Sequence, residues 1–189
     1  MLQYSLKMTK LNSKQLRISN PSEEELKIIK RNPVYLVLDN IIDTYNIGSL
    51  FRLADAIAAE KMYLCEEMEY PPSSRIHKAA VGTEAWVPWE KSASTLETVK
   101  NLKSNNIQII AVEQGSKAIS YKILNNKIKF PCAIVVGNET GGVSKEVLGL
   151  ADIIVELPMY GINKSFNVWG SAAVIAYKVL ESLPANEAT

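Results

Sequence analysis

One histidine and two cysteines leave too few imidazole and thiolate ligands to build a zinc centre. The cysteines, Cys65 and Cys132, lie far apart and each sits in an apolar run. That is the pattern of reduced core thiols in a cytoplasmic protein, and it excludes a disulfide scaffold. Long hydrophobic runs are missing as well. No stretch approaches the roughly eighteen apolar residues of a membrane span, and Met1-Leu2-Gln3-Tyr4-Ser5 has no apolar signal core. Secretion and membrane spanning are therefore not expected, and the cytoplasm is. An excess of charge of one sign is also lacking: 21 basic against 20 acidic side chains give a net charge of +1, which by itself selects no partner. What is present is an ordinary globular composition, 47% hydrophobic and 22% charged over 189 residues. A chain of that length forms one domain, with or without a short appendage, and hides roughly 70% of its unfolded surface.

Charge is unevenly placed. Residues 1–33 carry Lys7, Lys10, Lys14, Arg17, Lys27, Lys30 and Arg31 against Glu23, Glu24 and Glu25, leaving the remainder of the chain acidic. Such a segment either touches a phosphate backbone, with Arg17, Lys30 and Arg31 as contacts, or is a solvated tail and helix. Asn20-Pro21-Ser22-Glu23 predicts a helix start, with Asn20 as N-cap and Pro21 in the first turn, running to about Arg31. Beyond it, no repeat or low-complexity tract interrupts the chain. Short apolar runs at 34–38, 62–65, 107–112, 132–136 and 153–157 predict five strands. Helical spacing at 47–58, a helical stretch at 92–104 and a last helix at 167–183 alternate with them. The expectation is an α/β fold, a mostly parallel sheet with helices on both faces. Its domain would span 33–184, with 1–32 as a basic, partly helical extension and 185–189 as a tail. Ligands of such sheets bind beyond the carboxyl ends of the strands, which directs attention to the loops after Leu38, Val112, Val136 and Leu157.

After the first strand, Asn46 is placed to cap a helix beginning at Ile47, and Arg52 lies a turn and a half in, flanked by Phe51, Leu53 and Ala54. A guanidinium there is either a buried ion pair with Asp39, Asp43 or Asp55, or an anion clamp. After the fourth strand, Gly137-Asn138-Glu139-Thr140-Gly141-Gly142-Val143-Ser144 holds three glycines in six residues, without the lysine of a P-loop and without GxGxxG spacing. A plain turn would not require Glu139. After the fifth strand, Leu157-Pro158-Met159 leads to Ser165-Phe166-Asn167 and a helix that opens with small residues. Ser165 and Asn167 serve either as ordinary capping groups or as part of a site.

In combination these loops resemble one family. The order Asn46-x-Gly48-x-x-x-Arg52, then Gly137-x-Glu139-x-x-Gly142-x-Ser144, then Pro158-Met159 followed by Ser165-Phe166-Asn167 is similar to the SpoU/TrmH-type RNA 2′-O-ribose methyltransferases, over about residues 34–183. Phe166 departs from the usual leucine, and Glu60-Lys61 stands where glycine often precedes the second strand. The resemblance implies the SPOUT fold, with a deep carboxyl-terminal trefoil knot within about 130–180, a homodimer, and S-adenosylmethionine as cofactor. It implies cofactor contacts from Val112, Glu113, Gly137, Asn138, Glu139, Leu157, Pro158, Met159, Ser165, Phe166 and Asn167. It further implies that Arg52, Asn46, Glu139, Ser165 and Asn167 serve methyl transfer to a ribose hydroxyl of tRNA or rRNA, a tRNA D-loop guanosine being the first expectation. Arg52 would act there as base or as electrostatic clamp, and a guanidinium pKa above about 12 makes it a reluctant base. Arg75 and Lys78 are either phosphate contacts or solvated charges. His77 reads as packing or capping, and Trp86 and Trp89 as buried rings. The competing classes are a catalytically idle RNA-binding dimer and an NAD-binding α/β protein, the latter without its glycine fingerprint.

Overall fold

The structure, a computed structural model, describes residues 20–184. Arg17 and the rest of 1–19 lie outside the described residues, as does the tail at 185–189. Seven strands form one sheet: β1 Asn32–Asp39, β2 Ala59–Cys65, β3 Trp89–Ser92, β4 Gln108–Val112, β5 Ile119–Ser120, β6 Cys132–Gly137 and β7 Ile153–Glu156. Their order is β3-β2-β1-β6-β4-β7-β5, and every neighbouring pair is parallel. The central strands read as continuous apolar runs because both faces are covered. All six residues of β6 are buried, and on β1 the side chains alternate, Leu36 and Leu38 into one core and Val37 into the other.

Among the described residues the α-helices are α1 Glu23–Ile28, α2 Thr44–Ala56, α3 Ser74–Ala80, α4 Thr95–Ser104, α5 Lys145–Leu150 and α6 Val168–Leu180. Buried residues of α2, α3 and α6 fill one core, including Ile47, Leu50, Ile76 and Ile175. Those of α4 and α5, including Val99, Leu102 and Val147, fill the other. Among the described residues no helix is long and apolar enough to cross a membrane.

Local starts differ from the expectation in two places. Helix α1 is capped by Ser22, not Asn20: Ser22 accepts from the Glu25 N–H while the Glu25 carboxylate accepts from the Ser22 N–H, a reciprocal capping box. The helix ends at Ile28, and Leu26 packs against the first core. Helix α2 begins three residues early, because Asp43 accepts from the Tyr45 N–H at 2.8 Å and serves as N-cap. Asn46 therefore sits inside the first turn and its side chain is not spent on capping. Strands β3 and β5 were not anticipated. The first is Trp-Glu-Lys-Ser on one edge, the second is two residues on the other, and neither presents an apolar run.

The parallel register aligns the strand ends: Asp39 lies beside Gly137, and Val112 beside both Val136 and Val155. The loops that follow these residues thus emerge together on one rim of the sheet.

Candidate functional site

On that rim the loops after β4, β6 and β7 and the start of α6 enclose a cavity of about 460 Å³, a volume suited to a small organic ligand. The β6 loop folds back on itself: Asn138 and Gly142 form a bridge through N–H···O bonds of 3.1 and 2.8 Å. This turn requires glycine at two points. A Cβ at Gly137 would overlap the main chain of Gly142 and Val143, and Gly142 has φ +68° with the Glu113 carboxylate against it. Asn138 holds the loop from inside, donating to the Asn40 carbonyl and accepting from the N–H groups of Thr140 and Gly141. Glu113, just after β4, accepts from the N–H groups of Gln114 and Val143 at 2.8 and 2.9 Å, which ties the β4 end to the β6 loop.

Glu139 joins this wall to α2. One of its oxygens accepts from the Ile42 N–H at 2.9 Å; the other accepts from the Asp43 N–H at 3.0 Å and from the Asn46 amide at 2.8 Å. Burial alone would raise the Glu139 pKa, but the donors from Asn46, Ile42 and Asp43 together outweigh it and hold the carboxyl below its ordinary value. The carbonyl oxygen of the same Asn46 amide accepts from the Asn167 side chain at 3.1 Å. Asn167 in turn caps α6 by accepting from the Trp169 N–H at 3.0 Å. Asn46 thus links Glu139 and Asn167, and capping and site roles coincide in Asn167.

Of the cofactor contacts expected from sequence, Val112, Glu113, Gly137, Asn138, Glu139, Leu157, Met159, Ser165, Phe166 and Asn167 all line the cavity. Pro158 is exposed and does not. Sequence reasoning missed Gln114, Thr140, Glu156 and Ser171, which do. Glu156 is the last residue of β7, so the rule that ligands meet strand carboxyl ends pointed to it. Ser171, a turn into α6, carried no such signal.

Arg52 is not among the lining residues. It is exposed, six positions beyond Asn46 on α2 and so roughly 9 Å further along the axis. The buried ion pair considered for it is not formed. Asp39 accepts from the Thr95 hydroxyl and the Ser144 N–H, Asp55 accepts from the Trp86 indole, and Asp43 caps α2. Among the described residues the ion pairs are Lys61–Glu90, His77–Glu84, Lys100–Glu97, Lys103–Asp152 and Lys178–Glu181, and Arg52 takes part in none. Arg75 and Lys78 are exposed on α3 and also unpaired in that set. Helix α3 crosses α2 where Gly48 meets Ala79 and Ala80. Arg52 lies one turn past Gly48 on α2 and Arg75 one turn before Ala79 on α3. Lys30 is exposed. Arg31 instead donates to the carbonyls of Ala59 and Trp86, at 2.9 and 3.3 Å, and fastens β1 to the segment before β3. His77 sits in the last turn of α3 with Nδ1 2.5 Å from Glu84. Trp86 is buried, and Trp89 packs edge-on against Phe51 at 6.2 Å.

The chain is similar to a tRNA (guanosine(18)-2′-O)-methyltransferase of Borreliella burgdorferi, 28% identical over 162 residues that cover 85% of this chain and 72% of that enzyme. It is also 28% identical over 153 residues to the 23S rRNA (guanosine-2′-O-)-methyltransferase RlmB of Neisseria meningitidis, covering 81% of this chain and 60% of RlmB. Among solved structures, an AdoMet-bound rRNA methyltransferase from Sinorhizobium meliloti matches with a TM-score of 0.74 at 22% identity, over 85% of this chain and 60% of that one. The A. aeolicus TrmH/SpoU tRNA modifying enzyme matches at 0.73 and 23% identity, over 90% and 81%. Likeness at these identities speaks for the SPOUT methyltransferase fold, and the chain spans about three fifths of the two rRNA enzymes. The three motif loops, their convergence on one rim and a family sequence model that matches residues 33–177 lead to one assignment: the chain belongs to the SpoU rRNA methylase family.

Proposed function

We propose that the chain is an S-adenosylmethionine-dependent enzyme that methylates a ribose 2′-hydroxyl in RNA. The observation that carries this reading is the Asn46–Glu139–Asn167 network: Glu139 and Asn167, from the second and third motif loops, line one cavity, and Asn46 of the first joins them from α2 behind its wall. The cavity suits the cofactor. Its walls are glycine main chain and apolar side chains such as Val112, Leu157, Met159 and Phe166, against which a nucleoside can lie. Glu113, Glu139 and Glu156 are acidic lining, and no Lys, Arg or His lines it among the described residues. Bound there, S-adenosylmethionine supplies an activated methyl group, and the protein supplies alignment, which contributes up to roughly 7–11 kcal/mol.

Glu139 and Asn46 hold the cavity wall against α2, and Ser165 and Asn167 order the opposite loop. Arg52, exposed and in no ion pair among the described residues, is the anion clamp that positions substrate phosphate and offsets charge on the attacking oxygen. Arg75 and Lys78, exposed on the helix that packs against α2, extend the same phosphate contact. Lys30 and the basic segment with Arg17 are further RNA contacts, while Arg31 acts structurally. A tRNA guanosine is the substrate we favour, from the activity of the B. burgdorferi relative. The segment between β7 and α6 passes Gln114, whose amide donates to the Lys164 carbonyl, and reaches α2 through Asn167. These contacts support its passage as the threaded part of a trefoil knot.

Exposed apolar side chains support a homodimer. Ile42 and Tyr45 near the start of α2 are exposed, as are Phe166, Trp169 and Tyr177 of the α6 region, and Ile162 is fully exposed. Trp169 and Tyr177, eight residues apart on α6, are both exposed, as is Val174 between them. In sedimentation, wild type should run as a dimer and Tyr177→Glu as a monomer. A monomeric wild type would refute the pairing.

The functional reading is tested by calorimetry with S-adenosylhomocysteine, with NAD as control. Saturable binding at one site per chain supports it; a folded protein that binds neither would be an idle relative. In a methylation assay on tRNA, Arg52→Lys keeps the charge but loses the bidentate fork, and turnover should drop at least about tenfold. Near-normal turnover would remove Arg52 from the reaction.

A further inference from the structure

Glu113 and Glu139 spend both of their oxygens on N–H donors, as described above. Glu156 does not. It is half-buried at the end of β7, and its one hydrogen bond among the described residues comes from the Gly115 N–H at 3.4 Å, the outer limit of such a contact. Its second oxygen accepts nothing among the described residues. The wall therefore carries one carboxylate whose charge is not already used in holding loops together, in a cavity with no basic side chain to oppose it.

Resting on the cofactor reading of this cavity, we propose that Glu156 makes the site charge-selective, favouring the cationic methyl donor over its neutral thioether product. The donor carries a sulfonium, an ammonium and a carboxylate, for a net charge of +1 by its chemistry. In transfer the methyl–sulfur bond breaks with its electron pair returning to sulfur, the methyl carbon bonds the ribose oxygen, and the hydroxyl proton passes to solvent water. Sulfur is then neutral, so the charge that favoured the donor contributes nothing extra to holding the product. A carboxylate placed this way favours loading of the donor and release of the product. It assists binding and exchange more than the chemical step, because the cation it favours disappears as the bond breaks. Glu113 and Glu139 are poorer candidates, since their charge is already partly offset by main-chain donors.

Opposite charges across a partly enclosed cavity of this size alter affinity by about five- to thirtyfold. Calorimetry should measure S-adenosylmethionine and S-adenosylhomocysteine on wild type, Glu156→Gln and Glu156→Asp, with melting curves to establish that each is folded. The ratio of the product Kd to the donor Kd should fall by about fivefold or more in Glu156→Gln and persist in Glu156→Asp. In wild type the same ratio should shrink as salt is raised. A ratio unchanged within about twofold in Glu156→Gln, with equal loss of both ligands or none, would overturn the proposal and leave the cofactor reading standing. Wild type binding neither ligand would overturn both.

Discussion

Asn46 shows how one side chain serves two loops. Its amide nitrogen donates to Glu139 and its carbonyl oxygen accepts from Asn167, so an isosteric acid or an aliphatic residue would break one half or both. Glu139 makes the matching pH statement. Its folded pKa lies below the ordinary value, so it contributes stability above about pH 4.3, the usual glutamate pKa, and that contribution is lost as pH falls through the depressed folded value. In melting curves from pH 7 to 3, Glu139→Gln should cost about 1 kcal/mol at neutral pH, the three donors being discounted for exposure. Its stability should then fall less steeply than wild type below about pH 4.3. Parallel curves would mean that Glu139 is not the titrating group. The sequence named both residues but not their contact, since the partners lie 93 and 121 positions apart. For Arg52 the sequence left a buried ion pair and an exposed clamp both open, and the structure removes the buried one. Apolar neighbours at adjacent positions of a helix point about 100° apart, so they do not bury the residue between them.

Among the elements, the α2–α3 crossing depends on one missing side chain. A Cβ at Gly48 would come 2.5 Å from the Ala79 Cβ and 2.7 Å from the Ile76 carbonyl oxygen. Alanine gains about 1 kcal/mol of helix propensity in α2, but overpacking costs about 1–3 kcal/mol, and here it meets rigid backbone. Gly48→Ala should lower the thermal midpoint by about 2–8 °C, as calorimetry would show; a raised midpoint would mean that α3 gives way freely. The sequence marked Gly48 as a motif residue without revealing this close approach. Apolar runs found the five inner strands because burial on both faces needs them. Strands β3 and β5 escaped because edge strands of two to four residues can be polar, as Glu90 and Lys91 are. Helix α2 was started late because Asp43 and Asn46 are equally good caps by type, and only the fold decides between them.

Across the whole molecule, both cysteines report on the sheet's integrity. Burial pushes the thiol of Cys65, on β2, up to about 11 and that of Cys132, on β6, up to about 12. Neither should react with iodoacetamide at pH 8 in the folded protein, and both should react in guanidinium. Rapid native labelling of either would mean that the sheet opens at its centre. The sheet order has a last consequence. Val34 of β1 pairs with Cys132 of β6, and Asn46 closes on Asn167. As the chain leaves the ribosome, β1 and β2 can pair early, yet the middle of the sheet stays open until β6 emerges, and the site until α6 begins. A nascent chain stalled with Asn167 still in the exit tunnel would leave the site unclosed and hold no ligand, so ligand capture would report the emergence of α6.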